Sequence, residues 1–203
     1  MPNRAQLDVR EDDLGHGCWA RLIPGFVSAH DSVMQTLVAK LPLRQEPITM
    51  FGKTHLTPRL TSWHGDPGCG YRYSGRGFEP APWVPALALI RDRLREATSY
   101  PFNSVLVNFY RDGADAMGAH ADDERELGPS RDDIGIASVS LGARRRFLLR
   151  RKVGGETNEY ALGCGDLFVM GGQTQTQFKH WVPRTKKPVG PRMNLTYRVI
   201  LAR

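Results

Sequence analysis

The sequence predicts an α+β protein, with a β-sandwich or barrel backed by helices that come before it in the chain. Helical periodicity is confined to the first hundred residues, where Val84, Leu87, Ile90, Leu94 and Ala97 recur at spacings of three and four. From Phe102 onward short alternating runs separated by turn residues dominate. The 21 Gly and 14 Pro provide the punctuation such a strand-rich chain needs. Helices first and strands after indicate helix-backed β layers rather than an alternating α/β sheet.

Taken in order, the first two dozen residues are polar and uneven, an arm or an edge segment. Ser28-Ala-His-Asp31 reads as a capping box ahead of Val33, Leu37, Val38 and Leu41, and Pro42 stops the helix. Residues 47–77 lose all periodicity and crowd Gly, Pro, aromatic and basic residues together, as binding loops or a lid do. The helix between Pro82 and Pro101 packs on a sheet. Strands are expected at 105–110, 136–141, 146–152, 157–162, 167–170 and 192–201, with Val153-Gly-Gly-Glu156 as a hairpin turn. Gly68-Cys-Gly70, Gly75-Arg-Gly77 and Gly163-Cys-Gly165 each lack the third glycine of a dinucleotide fingerprint and are turns. The chain divides into an N-terminal arm and helix (1–45), a lid (46–80) and a helix with the β core (81–203), forming a single domain.

At 203 residues, 40% of them apolar, the chain suits one ordinary globular domain. It has no apolar stretch long enough for a bilayer and no signal core at its start, so no membrane partner and a cytoplasmic location are expected. That location would be with the nucleoid in a bacterium or in the nucleus in a eukaryote. Cys18, Cys69 and Cys164 are widely spaced and odd in number, which indicates free thiols in a reducing compartment. A net charge of +7 favours polyanionic partners, nucleic acid foremost.

Chemistry concentrates in two stretches. An apolar run bearing Asn108 and Tyr110 breaks at Gly113 and Gly118 and leads to His120-Ala-Asp122. In extended chain, residues i and i+2 project to one side, so an imidazole and a carboxylate can reach one ion. His180 is a third ligand candidate. After it, Arg192, Asn194, Thr196 and Arg198 share one strand face, while Met193, Leu195, Tyr197 and Val199 share the other and can pack on helices. Two imidazoles and one carboxylate leave coordination positions open and suit Fe(II) that activates molecular oxygen. Zinc is the rival, but the HExxH and cysteine spacings of zinc sites are absent. Guanidinium groups on the same sheet can clamp a dicarboxylate. Fe(II), O2 and an arginine-held dicarboxylate together belong to 2-oxoglutarate-dependent oxygenases.

The stretch 51–198 resembles the AlkB-type Fe(II)/2-oxoglutarate-dependent dioxygenases that repair alkylated nucleic acid, nearest the branch of the animal DNA- and RNA-repair homologues. The resemblance is carried by Pro58-Arg59-Leu-Thr, Tyr71-Arg-Tyr73-Ser-Gly75, Asn108-Phe-Tyr110-Arg-Asp-Gly, His120-Ala-Asp122-Asp-Glu124, Ile136-Ala-Ser138-Val-Ser140-Leu-Gly142 and Arg192-Met-Asn194-Leu-Thr196-Tyr-Arg198. It implies a double-stranded β-helix (jelly-roll) core backed by N-terminal helices, with a nucleotide-recognition lid. It implies iron on His120, Asp122 and His180, and 2-oxoglutarate as co-substrate. Arg192 and Tyr110 would reach the distal carboxylate, Arg198 and Asn108 would lie near the metal-bound end, and Asn194 and Thr196 would line the pocket. The implied reaction demethylates 1-methyladenine and 3-methylcytosine in DNA, with RNA as a further substrate, and releases formaldehyde, succinate and CO2. A flipped base would meet Trp63, Tyr71 and Tyr73, with Asp123 and Glu124 near its exocyclic groups. Arg144, Arg145, Arg146, Arg150, Arg151 and Lys152 could follow nucleic-acid phosphates, or form a solvated strand face. The protein would act as a monomer. An oxygenase of protein, lipid or small-molecule substrates, or a nucleic-acid-binding protein without turnover, stays open at this point.

Overall fold

Two antiparallel sheets face each other, and helices cover the outer face of the larger one. The computed structural model describes residues 8–50, 53–73, 76–123, 127 and 133–201. The first half of the chain contributes β1 (Arg10–Gly15), β2 (Cys18–Ile23), α1 (His30–Lys40), β3 (Pro47–Met50), β4 (Lys53–Leu56), β5 (Leu60–Gly65), β6 (Tyr71–Tyr73), β7 (Arg76–Phe78) and α2 (Pro85–Thr98). The second half contributes β8 (Ser104–Tyr110), β9 (Met117–His120), β10 (Ile136–Gly142), β11 (Arg145–Arg151), β12 (Thr157–Leu162), β13 (Asp166–Gly172), α3 (Thr174–Gln177), β14 (Phe178–Val182) and β15 (Arg192–Arg198).

The large sheet has seven strands in the order β1-β2-β13-β10-β15-β8-β5, and the small sheet has four, β12-β11-β14-β9. This is the two-sheet jelly-roll arrangement expected. Each strand of the large sheet presents alternate residues to its two faces. On the outer face Val105, Val107, Val139, Leu167, Met193, Leu195 and Tyr197 meet Leu37 of α1 and Leu87, Ile90 and Leu94 of α2. Each such leucine or isoleucine contributes about 2 kcal/mol by leaving water. Tyr197 is fully buried there, and its hydroxyl donates to Leu87 O at 2.9 Å. On the inner face Ile136, Phe168 and Met170 pack against Phe147, Leu149, Tyr160 and Phe178 of the small sheet. One side of the sandwich is sewn shut. Tyr160 on β12 donates to Asp12 of β1 at 2.8 Å, and Arg151 reaches Leu14 O at 2.6 Å.

Several local expectations are corrected. Arg10–Gly15 and Cys18–Ile23 form a hairpin: β1 is an edge strand, but β2 lies inside the sheet with Cys18 and Ala20 buried. The described residues between 47 and 78 include the short strands β3 to β7, and β5 pairs with β8 along its whole length as part of the large sheet. Polar and glycine-rich composition hid these strands, because each is short. Helix α1 starts at Ala29 without a side-chain cap, so Ser28 does not close a capping box. Helix α2 is as expected, entered through Pro85 and left through Ser99 in the left-handed conformation. No helix among the described residues is long and apolar enough to cross a membrane.

Two loops meet at one end of the sandwich, the one joining β8 to β9 and the one joining β14 to β15. Thr185 N donates to Gly113 O at 2.9 Å, and a Cβ on Gly113 would lie 2.5 Å from Thr185 O. Only glycine fits that approach. Inside the first loop Arg111 grips Asp115 with Nε and Nη2, each at 2.8 Å, and its backbone amide joins them at 2.9 Å.

Two outcomes follow from these contacts. Gly113→Ala drives the loops apart and lowers folding stability by about 2 kcal/mol in a denaturant titration. The Arg111 guanidinium holds the buried Asp115 carboxyl below the usual carboxylate range. A carboxyl depressed on folding stabilises the native state above its unfolded pKa and loses that contribution as pH falls through the native one. Asp115→Asn should therefore cost about 1 kcal/mol at neutral pH, discounted because Arg111 is half exposed, and flatten the acid limb of the stability profile. Parallel acid limbs for the two proteins would contradict this.

Candidate metal centre and its cleft

Three potential ligands converge between the sheets. β9 ends at His120, β14 carries His180, and the pairing of these strands sets the two histidines opposite each other. Their ring centroids are 4.2 Å apart. Asp122 follows two residues past His120, with Oδ1 3.9 Å from His120 Nε2 and Oδ2 3.8 Å from His180 Nε2. One ligand atom from each lies within 4.8 Å of the others. His120 Nδ1 sits 2.8 Å from Gly118 O. A carbonyl can only accept, so Nδ1 carries the hydrogen and Nε2 presents its lone pair to the cluster. The Phe147 ring stacks on His180 at 5.3 Å and fixes its plane.

The electrostatics favour a cation here. Burial opposes ionisation of Asp122, but Arg198 and the two histidines outweigh it and hold the carboxyl below its ordinary range. Arg198 Nη2 donates to Asp122 Oδ1 at 2.6 Å. Oδ2 is buried and has no hydrogen-bond partner among the described residues. Burial, helped by His120, pulls His180 down to about 3, so it is neutral and able to ligate at physiological pH. An acceptor-only oxygen left bare in the interior, 3.8 Å from His180 Nε2 and beside a second histidine, fits a divalent metal.

The cleft beside this cluster is built from the inner faces of β8, β10 and β15. Register aligns Tyr110 with Arg192, Asn108 with Asn194 and Leu106 with Thr196, and on the other side Ser140 with Asn194 and Ser138 with Thr196. Asn194 Oδ1 accepts from Ser138 Oγ at 2.7 Å and from Arg192 Nη2 at 3.0 Å, while its Nδ2 donates to Thr196 Oγ1 at 2.7 Å. Arg192 Nη2 also donates to Ser140 Oγ at 2.7 Å. Its Nε and Nη1 are buried with no hydrogen-bond partner among the described residues. Burial lowers the Arg192 guanidinium to about 10, which leaves it charged at neutral pH. A metal-ligand cluster thus lies at one end of the cleft and a buried, incompletely satisfied cation at the other.

All nine residues expected at the metal and co-substrate are gathered here: His120, Asp122, His180, Asn108, Tyr110, Arg192, Asn194, Thr196 and Arg198. The residues expected at the base are less concentrated. Trp63 on β5 lies opposite Leu106, half-buried against the inter-sheet core. Tyr71 and Tyr73 sit on β6, paired with Phe78 and Arg76. Asp123 is bound to Lys152 Nζ at 2.8 Å. Glu124 lies outside the described residues.

The basic run on β11 does not form a uniform cationic face. Alternate residues point inward, so Arg145 is buried. Arg144 pairs with Asp166, Arg146 with Glu159 and Lys152 with Asp123. Arg151 turns in to Leu14 O and Gln177, and Arg150 lies over the Trp181 ring at 5.9 Å. Sequence reasoning gave no role to Arg59, whose Nε donates to Asn108 Oδ1 at 2.8 Å, or to Gln175, whose Oε1 accepts from Asp122 N at 3.0 Å. Ser138 and Ser140 were given no role either, although their period-two spacing places them on one strand face. Gln175 carried no such signal.

The 2OG-Fe(II) oxygenase superfamily matches residues 20–198 of the chain. The DNA oxidative demethylase ALKBH2 of Mus musculus is 44% identical over 162 residues, covering 76% of this chain and 66% of that protein. The alpha-ketoglutarate-dependent dioxygenase alkB homolog 3 of Mus musculus is 38% identical over 191 residues, covering 88% of this chain and 65% of that protein. The chain thus spans just under two thirds of the length of these two relatives. The DNA oxidative demethylase ALKBH2 of Arabidopsis thaliana is 30% identical over 220 residues, covering 93% of this chain and 68% of that protein. Among solved structures, that of OsALKBH1 superposes with a TM-score of 0.61 at 20% identity, covering 93% of this chain and 99% of that one, a likeness of fold.

Removing one ligand tests the metal centre directly. His180→Ala should weaken Mn(II) binding by more than about 100-fold in an anaerobic titration, since loss of mere outer partners already costs 10–100-fold. Thermal melting of the metal-free variant monitors the fold.

Proposed function

The chain belongs to the 2OG-Fe(II) oxygenase superfamily, and within it to the AlkB type; from this we propose that it is an Fe(II)- and 2-oxoglutarate-dependent dioxygenase that oxidatively demethylates 1-methyladenine and 3-methylcytosine in DNA, with RNA as a further substrate. The carrying observation is the pairing, in one cleft, of the His120–Asp122–His180 cluster with the buried Arg192 guanidinium. That pairing matches a metal and a dicarboxylate bound side by side.

In this reading His120 Nε2, His180 and the bare Asp122 Oδ2 hold Fe(II). Arg198 keeps Asp122 ionised and turned toward the metal. Arg192 and Tyr110 receive the distal carboxylate of 2-oxoglutarate, and Asn108, itself held by Arg59, lies toward the metal-bound end. Asn194 and Thr196 hold the wall between. When bound, iron with 2-oxoglutarate and O2 supplies the oxidation: 2-oxoglutarate becomes succinate and CO2, and the methyl carbon is hydroxylated and leaves as formaldehyde. The chain's own contribution is to orient the reactants and keep water out.

The nucleotide-recognition lid is assigned to the two small hairpins, β3–β4 and β6–β7, which flank β5 in sequence without joining either main sheet. Trp63, Tyr71, Tyr73 and Glu124 remain the candidates for the flipped base. Asp123 is assigned instead to holding the ligand loop, because Lys152 engages it. The protein works as a monomer in the compartment that holds the nucleic acid, and the name of the mouse DNA oxidative demethylase ALKBH2 favours DNA.

With Fe(II), ascorbate and 2-oxoglutarate, the purified protein should release formaldehyde from an oligonucleotide bearing 1-methyladenine. His120→Ala should lower that rate by at least about 1,000-fold, the scale of loss when a residue essential to the chemistry is removed. Persistent 2-oxoglutarate consumption with no turnover of methylated DNA or RNA would move the substrate to another class.

A further inference from the structure

The basic run on β11 contains one member that no surface role explains. Arg145 is 4% exposed, while its neighbours Arg144 and Arg146 have side chains 52% and 60% exposed. Its hydrogen bonds go to backbone carbonyls and come from two different loops. Nη1 donates to Asp112 O at 2.8 Å, and Nη2 donates to Asp115 O at 2.9 Å and Pro183 O at 2.8 Å. The first two carbonyls belong to the loop running from Tyr110 to β9, and the third to the loop running from β14 to Arg192. One guanidinium therefore fastens both chain segments that carry the far end of the cleft.

Arg145 also stands 5.8 Å from the centroid of the Tyr110 ring, and Arg192 stands 5.4 Å from the same centroid. Two buried cations share one phenol, and among the described residues neither forms a hydrogen bond to a carboxylate. The nearby acids hydrogen-bond elsewhere: Asp112 to the Ala114 amide, Asp115 to Arg111, and Asp166 to Arg144 and the Gly25 and Gly163 amides. Burial lowers the Arg145 guanidinium, and Tyr110 and the charges of Asp115 and Asp112 offset that only in part. Burying charge against neutral carbonyls is costly, and an apolar residue in that place would avoid the cost. A visiting anion offsets it.

We propose that Arg145 is a positioning residue for the co-substrate: it locks the two loops around Tyr110 and Arg192 and raises the affinity of that end of the cleft for a carboxylate. This rests on the reading of the cleft as a 2-oxoglutarate site. Arg145 acts through Tyr110 and the loops and is not placed in contact with the co-substrate.

The test is anaerobic calorimetry of 2-oxoglutarate binding to the Mn(II)-loaded protein. Arg145→Gln should raise the Kd for 2-oxoglutarate at least about tenfold, and Arg145→Lys, which keeps the charge but not the planar fork, at least about threefold. Both should leave the Mn(II) affinity within about twofold, as should the exposed control Arg146→Gln for both ligands. If Arg145→Gln does not fold, Arg145→Lys decides. A 2-oxoglutarate Kd within twofold of the unaltered protein, or parallel loss of Mn(II) and 2-oxoglutarate affinity, overturns the proposal. Failure of the unaltered, Mn(II)-loaded protein to bind 2-oxoglutarate overturns the co-substrate reading itself.

Discussion

The ion pair between Arg198 and Asp122 is the joint on which the site depends. Arg198 ends β15, a strand of the large sheet, while Asp122 follows β9, the outer strand of the small one. Their 2.6 Å contact is buried on both sides, so little water weakens it. It ties the sheets together where the ligands must meet and keeps the carboxyl ionised in an interior that would otherwise protonate it. It also divides Asp122 into two unlike oxygens, one bound to the arginine and one facing His180. Gln175 adds a second restraint from α3 through the Asp122 amide. The ligand that leaves the strand is thus the one most firmly held.

The central strands of the fold were legible because each obeys period two with a strong apolar face. β15 is the clearest case: Met193, Leu195 and Tyr197 meet the helices, and Arg192, Asn194, Thr196 and Arg198 line the cleft, as alternation requires. The ligands were legible as residue types, but only β9–β14 pairing shows how two distant histidines come to face each other. β5 was missed because Thr61, Ser62 and His64 disguise it as a loop. His64 is nonetheless buried, its Nε2 2.8 Å from Ser62 Oγ and its Nδ1 2.8 Å from Pro82 O, and burial lowers its pKa. Such satisfied polar groups leave no trace in hydropathy.

Net charge does not say where the charges lie. A net charge of +7 and six basic residues between 144 and 152 suggest a cationic surface. Strand geometry sends every second side chain inward, and carboxylates answer most of those that remain outside. The charges that matter to the cleft are the buried ones, Arg192, Arg198 and Arg145. Their strength comes from the low polarity around them and not from their number.

The position of β15 has a consequence for how the molecule is made. It lies between β10 and β8 at the heart of the large sheet, yet it follows both in the chain, and β2 pairs across to β13 over some 150 intervening residues. A sheet so dependent on distant partners folds slowly and late, because loop closure must precede the contacts that reward it. A nascent chain that has not yet emerged past residue 192 lacks Arg198 and the strand on which α2 rests. The iron ligands can then all be present in sequence with no joint to gather them. A site whose carboxylate is held by the last strand reaches its geometry only once that strand has paired.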